Sequence, residues 1–256
     1  MQLLVSVRSA DEAAAAVAGG AGIVDAKEPA AGALGAVPLE TLQDICRVVA
    51  GARPVTAALG DAVDPRAVER QARAFAAAGA ALLKVGFAGT RTAERAAVLI
   101  AAALEGTHAG SEGRSGVVVV AYADAPRADS LPPDVLLELA ARAGAAGVLL
   151  DTADKAGPGL CRLLPSDQLA AWTGGAHRAG LLAALAGKLQ PEDLARVRAA
   201  GADIAGVRGA ACRAGRTSEV SVRKVQQLRA LCEALPPPTV EARAPLAAWS
   251  PDLLPR

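Results

Sequence analysis

Residues 77–87 read AAGAALLKVGF: the end of an alanine-rich helical stretch, a glycine that stops it, then a short apolar run with one lysine inside. The same punctuation returns as AGGAG at 18–22, RAGAAG at 142–147 and AAGAD at 199–203. Each places glycine where a helix must end before a strand begins. Outward from these four turns, β-like apolar runs alternate along the whole chain with longer segments of helical spacing. Strands are expected at Leu3–Val7, Gly22–Lys27, Pro54–Leu59, Ala81–Phe87, Gly116–Tyr122, Gly147–Asp151, Gly180–Ala184 and Asp203–Val207. Helices are expected at Ser9–Ala18, Pro38–Val49, Asp64–Ala78, Arg91–Leu104, Pro132–Ala143, Pro165–His177, Gln190–Ala199 and Val220–Leu235. Ser9 with Glu12 reads as a capping box, Asp64 as an N-cap, and Pro38, Pro65 and Pro191 as first-turn prolines.

Eight strand–helix units of about 30 residues each fit a chain of this length. Nearly every strand is continuously apolar rather than alternating, so both of its faces are buried. The expected architecture is α/β: a (βα)8 TIM barrel in a single domain, residues 1–235, followed by a proline-rich C-terminal tail, 236–256. An open doubly wound sheet is the alternative, and it lacks the GxGxxG turn that such sheets carry after the first strand.

Composition narrows the function. The 256 residues hold 27 Lys plus Arg against 26 Asp plus Glu, a net charge of +1, which provides no general field for a nucleic-acid backbone or an anionic membrane. Apolar residues make up 52%, too many for disorder, yet the longest apolar stretches, such as Ala96–Leu104, fall short of a bilayer span. The opening MQLLVSVRSADEAA has no basic region ahead of its apolar run, so no targeting signal is read and a cytoplasmic location is expected. Cys46, Cys161, Cys212 and Cys232 are scattered without a CxxC and read as packing residues in a reducing compartment. His177, His108, Trp172 and Trp249 read as structural, no residue cluster has metal-ligand spacing, and no cofactor is expected. The Gly-rich stretch 105–116 reads as a flexible surface connection. The expected partner is a small-molecule substrate, with neither nucleic acid nor membrane, and a homo-oligomer is expected.

In a barrel, chemistry belongs at the C-terminal ends of the strands. Only five residues are lysines, and three of them, Lys27, Lys84 and Lys155, fall in or just after expected strands. Random placement would put roughly half a lysine there. Asp25 and Lys27 are two apart and face one side of their strand, as do Tyr122 and Asp124; Asp151 ends the sixth strand. A desolvated lysine beside a second cation keeps a neutral amine for Schiff-base formation, and neighbouring carboxylates shuttle protons through carbinolamine formation and enolisation. This is a class I aldolase arrangement, and spacing alone leaves the choice among the three lysines open. Barrel phosphate sites come from the loops after strands seven and eight, here Ala186-Gly187-Lys188 and Arg208-Gly209-Ala210. A phosphorylated carbonyl substrate is expected, with Gly187, Lys188, Arg208, Gly209 and Asp124 as its contacts.

The segments LLVSVRSADEAAAAVAGGAGIVDAKEPAAGALGA (3–36), LLKVGFAG (82–89), VVAYADA (119–125), LLDTADKAG (149–157), ALAGKL (184–189) and DIAGVRGAACRAGR (203–216) follow one family's motifs in order. Over about residues 2–233 the chain resembles the (5-formylfuran-3-yl)methyl phosphate synthases, also called 4-(hydroxymethyl)-2-furancarboxaldehyde-phosphate synthases. The resemblance implies a TIM-barrel lyase that joins two molecules of glyceraldehyde 3-phosphate, with loss of phosphate and water, into the furan precursor of methanofuran. It further implies that Lys27 forms the Schiff base with Asp25 beside it, that Lys155 and Asp151 transfer protons, and that Lys84 lies near the substrate. The family usually carries serine where this chain has Lys188. Two other readings stand beside it: a different Schiff-base barrel aldolase acting on a phosphorylated sugar, and a non-catalytic barrel that binds phosphorylated ligands.

Overall fold

The structure is a computed structural model that describes residues 1–233; the proline-rich tail and Trp249 lie outside the described residues. Eight parallel strands close into a barrel in chain order. They are β1 (Gln2–Val7), β2 (Ile23–Ala26), β3 (Val55–Asp61), β4 (Leu82–Gly86), β5 (Gly116–Tyr122), β6 (Gly147–Asp151), β7 (Leu182–Leu185) and β8 (Ile204–Val207). The connecting helices are α1 (Ala10–Ala18), α2 (Leu39–Val49), α3 (Pro65–Ala77), α4 (Ala93–Ser111), α5 (Pro133–Ala143), α6 (Ser166–Arg178), α7 (Leu194–Ala199) and α8 (Val222–Glu233). Among the described residues no helix is long and apolar enough to cross a membrane.

The strands read as continuous apolar sequence because two cores share them. Val5, Val24, Leu83, Val119 and Leu150 point outward and pack beneath helix residues such as Leu42, Ile45, Phe75, Leu99 and Leu136. Leu4, Ile23, Leu82, Val118, Leu149 and Ile204 point inward and fill the barrel. Fully burying an aliphatic side chain of this size contributes about 1.5–3 kcal/mol, so both layers reward closure. Gly79, at φ +99°, carries the left-handed turn that the AAGAA repeat called for. Asp64 accepts the Ala67 amide at 2.7 Å as the expected N-cap of α3.

Several expectations need correction. The stretch 105–116 is helical as far as Ser111: α4 runs seven residues past its expected end at Leu104, through the sequence read as a loop. Its glycines serve proximity rather than flexibility: a Cβ at Gly106 would collide with the backbone carbonyl of Glu69 in α3, and one at Gly110 with that of Arg73. Thr107 and Ser111 turn their hydroxyls back onto the carbonyls of Ala103 and Thr107 at 2.7 and 2.8 Å, which leaves that helix face small and internally satisfied. Secondly, the Ser9–Glu12 capping box is half made. Ser9 Oγ accepts the Glu12 amide at 3.3 Å, but the Glu12 carboxylate accepts the Arg8 amide and pairs with Arg208 instead of reaching back to Ser9. Thirdly, Pro38 is the N-cap of α2 rather than its first residue, while Pro65 is the first residue of α3 as expected. Lastly, the helix expected at Gln190–Ala199 is a 3-10 turn, Pro191–Asp193, followed by α7. α8 starts at Val222, since Val220 bridges to Cys212, and Ala234 and Leu235 lie outside the described residues.

Candidate active site

Register across the first three strands sets Ser6 beside Asp25 and Asp25 beside Thr56, all three inward. Asp25 is wholly buried, and its carboxylate is saturated: Ser6 Oγ donates to Oδ2 at 2.8 Å, Thr56 Oγ1 to Oδ1 at 2.7 Å, and Lys84 Nζ stands 2.6 Å from Oδ1. Burial alone would push this carboxyl up, but the ammonium groups of Lys84 and Lys27, with the hydrogen bonds from Lys84 and Thr56, hold it below its ordinary value. A second pair sits at the end of β6. Asp151 Oδ1 accepts the Thr152 amide and the Lys155 ammonium, each at 2.7 Å, and Lys155 also donates to the Thr152 carbonyl at 2.5 Å. Here too burial raises the carboxyl while Lys155 first, then Lys27, more than offset it.

Lys27 follows β2 by one residue and its amide donates to the Val7 carbonyl at 2.9 Å, which extends the strand's alternation and aims the side chain where Asp25 points. It is 8% exposed, and among the described residues its ammonium has no hydrogen-bond or ion-pair partner. Burial pulls its pKa from the ordinary 10.5 down to about 8; Asp151 and Asp25 oppose this, and Lys84 and Lys155 add to it. At neutral pH about a tenth of such a group is the free amine, against fewer than about one in a thousand for an ordinary lysine. Of three candidate lysines, Lys84 and Lys155 are held by carboxylates and Lys27 alone combines burial, no partner and a lowered pKa.

All five of these residues line one cavity of about 1010 Å³ that runs from the C-terminal ends of the strands into the barrel and along α8, and Gly187, Lys188, Arg208 and Gly209 line it as well. Gly187 is needed because a Cβ there would press on the Thr152 side chain at 2.9 Å, next to the Asp151–Lys155 pair. Lys188, exposed and with φ +58°, lays its ammonium on the Gly157 carbonyl. Arg208 is buried with all five of its N–H donors spent: Nε on the Arg216 carbonyl at 2.8 Å, and the two Nη groups on Glu12, the Ser6 carbonyl and the Ser218 carbonyl. It therefore clasps the β8 loop to α1. Asp124 is not brought to the cavity; its two carboxylate oxygens accept the Ala153 and Asp154 amides at 2.7 and 2.9 Å and so fix the loop that carries Lys155. Sequence reasoning missed Ser6, Thr56 and Arg216, which line the same cavity. Inward strand phase would have flagged the two hydroxyls, and Arg216 stood at the end of a quoted motif. Among the described residues no group of three or more His, Cys, Asp or Glu is placed to hold a metal.

A closed eight-stranded barrel with a lysine and carboxylate pocket at its C-terminal strand ends defines a TIM-barrel enzyme. Solved structures agree on the fold. A 3-hexulose-6-phosphate synthase superposes with a TM-score of 0.60 at 24% identity, covering 90% of this chain and 99% of its own. A phosphoribosyl anthranilate isomerase from Thermus thermophilus gives 0.60 at 17% identity over 91% of this chain and 99% of its own. The family model for 4-HFC-P synthase matches residues 3–229. The chain is 41% identical over 236 residues to the (5-formylfuran-3-yl)methyl phosphate synthase of Methanopyrus kandleri, covering 91% of this chain and 98% of that one. It is 37% identical over 235 residues to that of Methanosarcina barkeri, covering 91% and 100%. The chain belongs to the 4-HFC-P synthase family of enzymes, as its motifs indicated.

Proposed function

We propose that this chain condenses two molecules of glyceraldehyde 3-phosphate through a Schiff base on Lys27, giving (5-formylfuran-3-yl)methyl phosphate for methanofuran biosynthesis. The observation that carries the reading is the Lys27 amine: buried, without a partner, with a pKa lowered to about 8, and set between two carboxylate–lysine pairs. The amine attacks the aldehyde carbon of one triose phosphate, and the carbinolamine loses water to leave an iminium. Removal of the C2 proton sends that C–H electron pair toward the iminium nitrogen, and the resulting enamine carbon attacks the aldehyde of the second triose. Ring closure, elimination and release of the lysine complete a balance in which two trioses yield the furan, one phosphate and two waters. The Asp25–Lys84 and Asp151–Lys155 pairs flank the nitrogen and take up and return the protons. A cavity of about 1010 Å³ has room for two such substrates.

The test is borohydride reduction during incubation with glyceraldehyde 3-phosphate, followed by intact mass and peptide mapping. The expected result is one reduced triose adduct on the peptide holding Lys27, with phosphate released in the unreduced reaction. Lys27→Ala removes the nucleophile and Lys27→Arg keeps the charge without a usable amine, so both lose adduct and turnover. An adduct on Lys84 or Lys155, or turnover by Lys27→Arg, would sink the assignment.

A further inference from the structure

Beside Lys27, the cations lining the cavity divide by partner. Lys84, Lys155 and Arg208 each meet a carboxylate, namely Asp25, Asp151 and Glu12. Lys188, Arg216 and Lys224 hold only backbone carbonyls among the described residues. Arg216 is the best equipped of these three for an anion. It spends one N–H, from Nη2 to the Gly32 carbonyl at 2.9 Å, and so retains four donors of a planar fork. Lys224 has two of its three donors committed, to the carbonyls of Cys212 and Arg213, and Lys188 stands exposed at the rim.

The backbone at and just after Arg216 is anchored by Arg208. Arg208 Nε donates to the Arg216 carbonyl at 2.8 Å and Arg208 Nη2 to the Ser218 carbonyl at 2.9 Å, while the same guanidinium is locked onto buried Glu12 of α1. The Gly32 contact ties the side chain to the loop that follows Lys27. Burial pulls the Arg216 pKa below its ordinary value while the group stays charged, and the carboxylate of Asp151, which also faces Lys27, is the foremost electrostatic counterweight. The guanidinium thus sits at the same mouth as the candidate nucleophile, half-buried, without a carboxylate in contact.

We propose that Arg216 grips the phosphate of the triose held on Lys27, and that the Arg208–Glu12 pair is the anchor that aims it. A guanidinium fork matches two phosphate oxygens at once, which a lysine in that place would not. Arg208, the arginine that loop position alone suggested, has no donor left for this task. The assignment rests on the phosphorylated-aldehyde reading above, and its test separates the two.

Two probes divide the substrate's groups. Glycerol 3-phosphate has the phosphate and no carbonyl, and is titrated calorimetrically; glyceraldehyde has the carbonyl and no phosphate, and is trapped with borohydride beside glyceraldehyde 3-phosphate. Arg216→Gln is expected to weaken glycerol 3-phosphate at least tenfold and to cut the trapping preference for the phosphorylated aldehyde by a similar factor. Arg216→Lys should fall between that variant and the native protein. Equal glycerol 3-phosphate affinity in native protein and Arg216→Gln overturns the proposal, as does a native protein that does not bind this probe. If Arg216→Gln and Arg216→Lys both lose glyceraldehyde trapping as well, the side chain supports the loop's structure and the phosphate role is wrong. If native protein traps neither aldehyde while Arg216 still governs glycerol 3-phosphate binding, the Schiff-base reading falls and the Arg216 assignment stands.

Discussion

Lys27 is costly to the fold that holds it. Its pKa of about 8, against an ordinary 10.5, means the native state disfavours the charged form by roughly 3 kcal/mol. The sign follows from proton counts: between pH 8 and 10.5 the unfolded chain binds more protons than the native one at this site, so stability rises with pH across that window. Below about pH 8 the whole penalty is present. Lys27→Met, which fills similar volume without the charge, should therefore raise the thermal midpoint at pH 7 by several degrees, since each kcal/mol is worth about 2–4 °C in a chain of this size. Asp25 and Asp151 keep Lys84 and Lys155 in that variant, so neither carboxylate is stranded. Calorimetric scans decide the matter, and a lowered midpoint would mean that Lys27 stabilises its neighbours. The same pKa sets the chemistry. The rate of borohydride trapping should climb through pH 7 and level above about pH 8 as the free amine accumulates; a profile still rising steeply at pH 10 would show an ordinary lysine. The three lysines at strand ends were legible in the sequence, but their ranking was not. It depends on which ammonium meets which carboxylate, and Lys84 reaches Asp25 from two strands away.

At the scale of elements, α4 shows how a composition signal can mislead. GTHAGS looks like loop because glycine and β-branched or hydroxyl residues carry poor helix propensity, and propensity is a local quantity. The tertiary neighbour reverses the reading. α3 crosses so close that only glycine fits at 106 and 110, and packing repays what propensity loses. Gly106→Leu or Gly110→Leu should thus destabilise by about 1–3 kcal/mol or more through overpacking, even though leucine is the better helix former. Denaturant unfolding reads the change; a variant as stable as the native protein would mean that the two helices are not in contact. Glu12 teaches the same lesson at a helix start. Its position three residues after Ser9 satisfies the capping pattern, yet a buried arginine 196 positions away competes for the carboxylate and wins, since a charge-assisted pair outweighs a single backbone amide.

The whole molecule is a barrel whose polar content is concentrated at one end of the strands. Two buried carboxylates, Asp25 and Asp151, have native pKa values held below the ordinary 3.8 by their cationic neighbours. Groups shifted in this direction contribute stability that is fully present above the unfolded value and is lost as pH falls through the native one. The thermal midpoint should hold steady between about pH 6 and 5 as far as these two groups go, then drop as pH passes below about 4, where the unfolded carboxylates begin to take up protons. A midpoint that stays flat from pH 6 to pH 3 would mean that neither pair matters to the fold. This acid sensitivity is the counterpart of the site: the pairs that flank the Lys27 nitrogen are also what makes a charged barrel mouth tolerable.

The architecture was determined by the sequence alone, because periodicity and turn chemistry are local. Continuous apolar runs such as LLKVG require burial on both faces, repeated glycine stops space them at one unit each, and eight such units in order leave closure as the way to avoid an exposed edge. The strand ends, and with them Asp25, Lys27, Lys84 and Asp151, follow from that phase. Tertiary structure alone decided what each polar group does once there. Asp124 went to two backbone amides, Arg208 to Glu12, and Arg216 kept four of its five donors free because the loops that meet at the barrel mouth come from opposite ends of the chain. Hydrogen-bond and charge partners are chosen by distance in space, and no spacing along the sequence encodes a contact between residues 8 to 196 positions apart whose meeting depends on how the barrel closes.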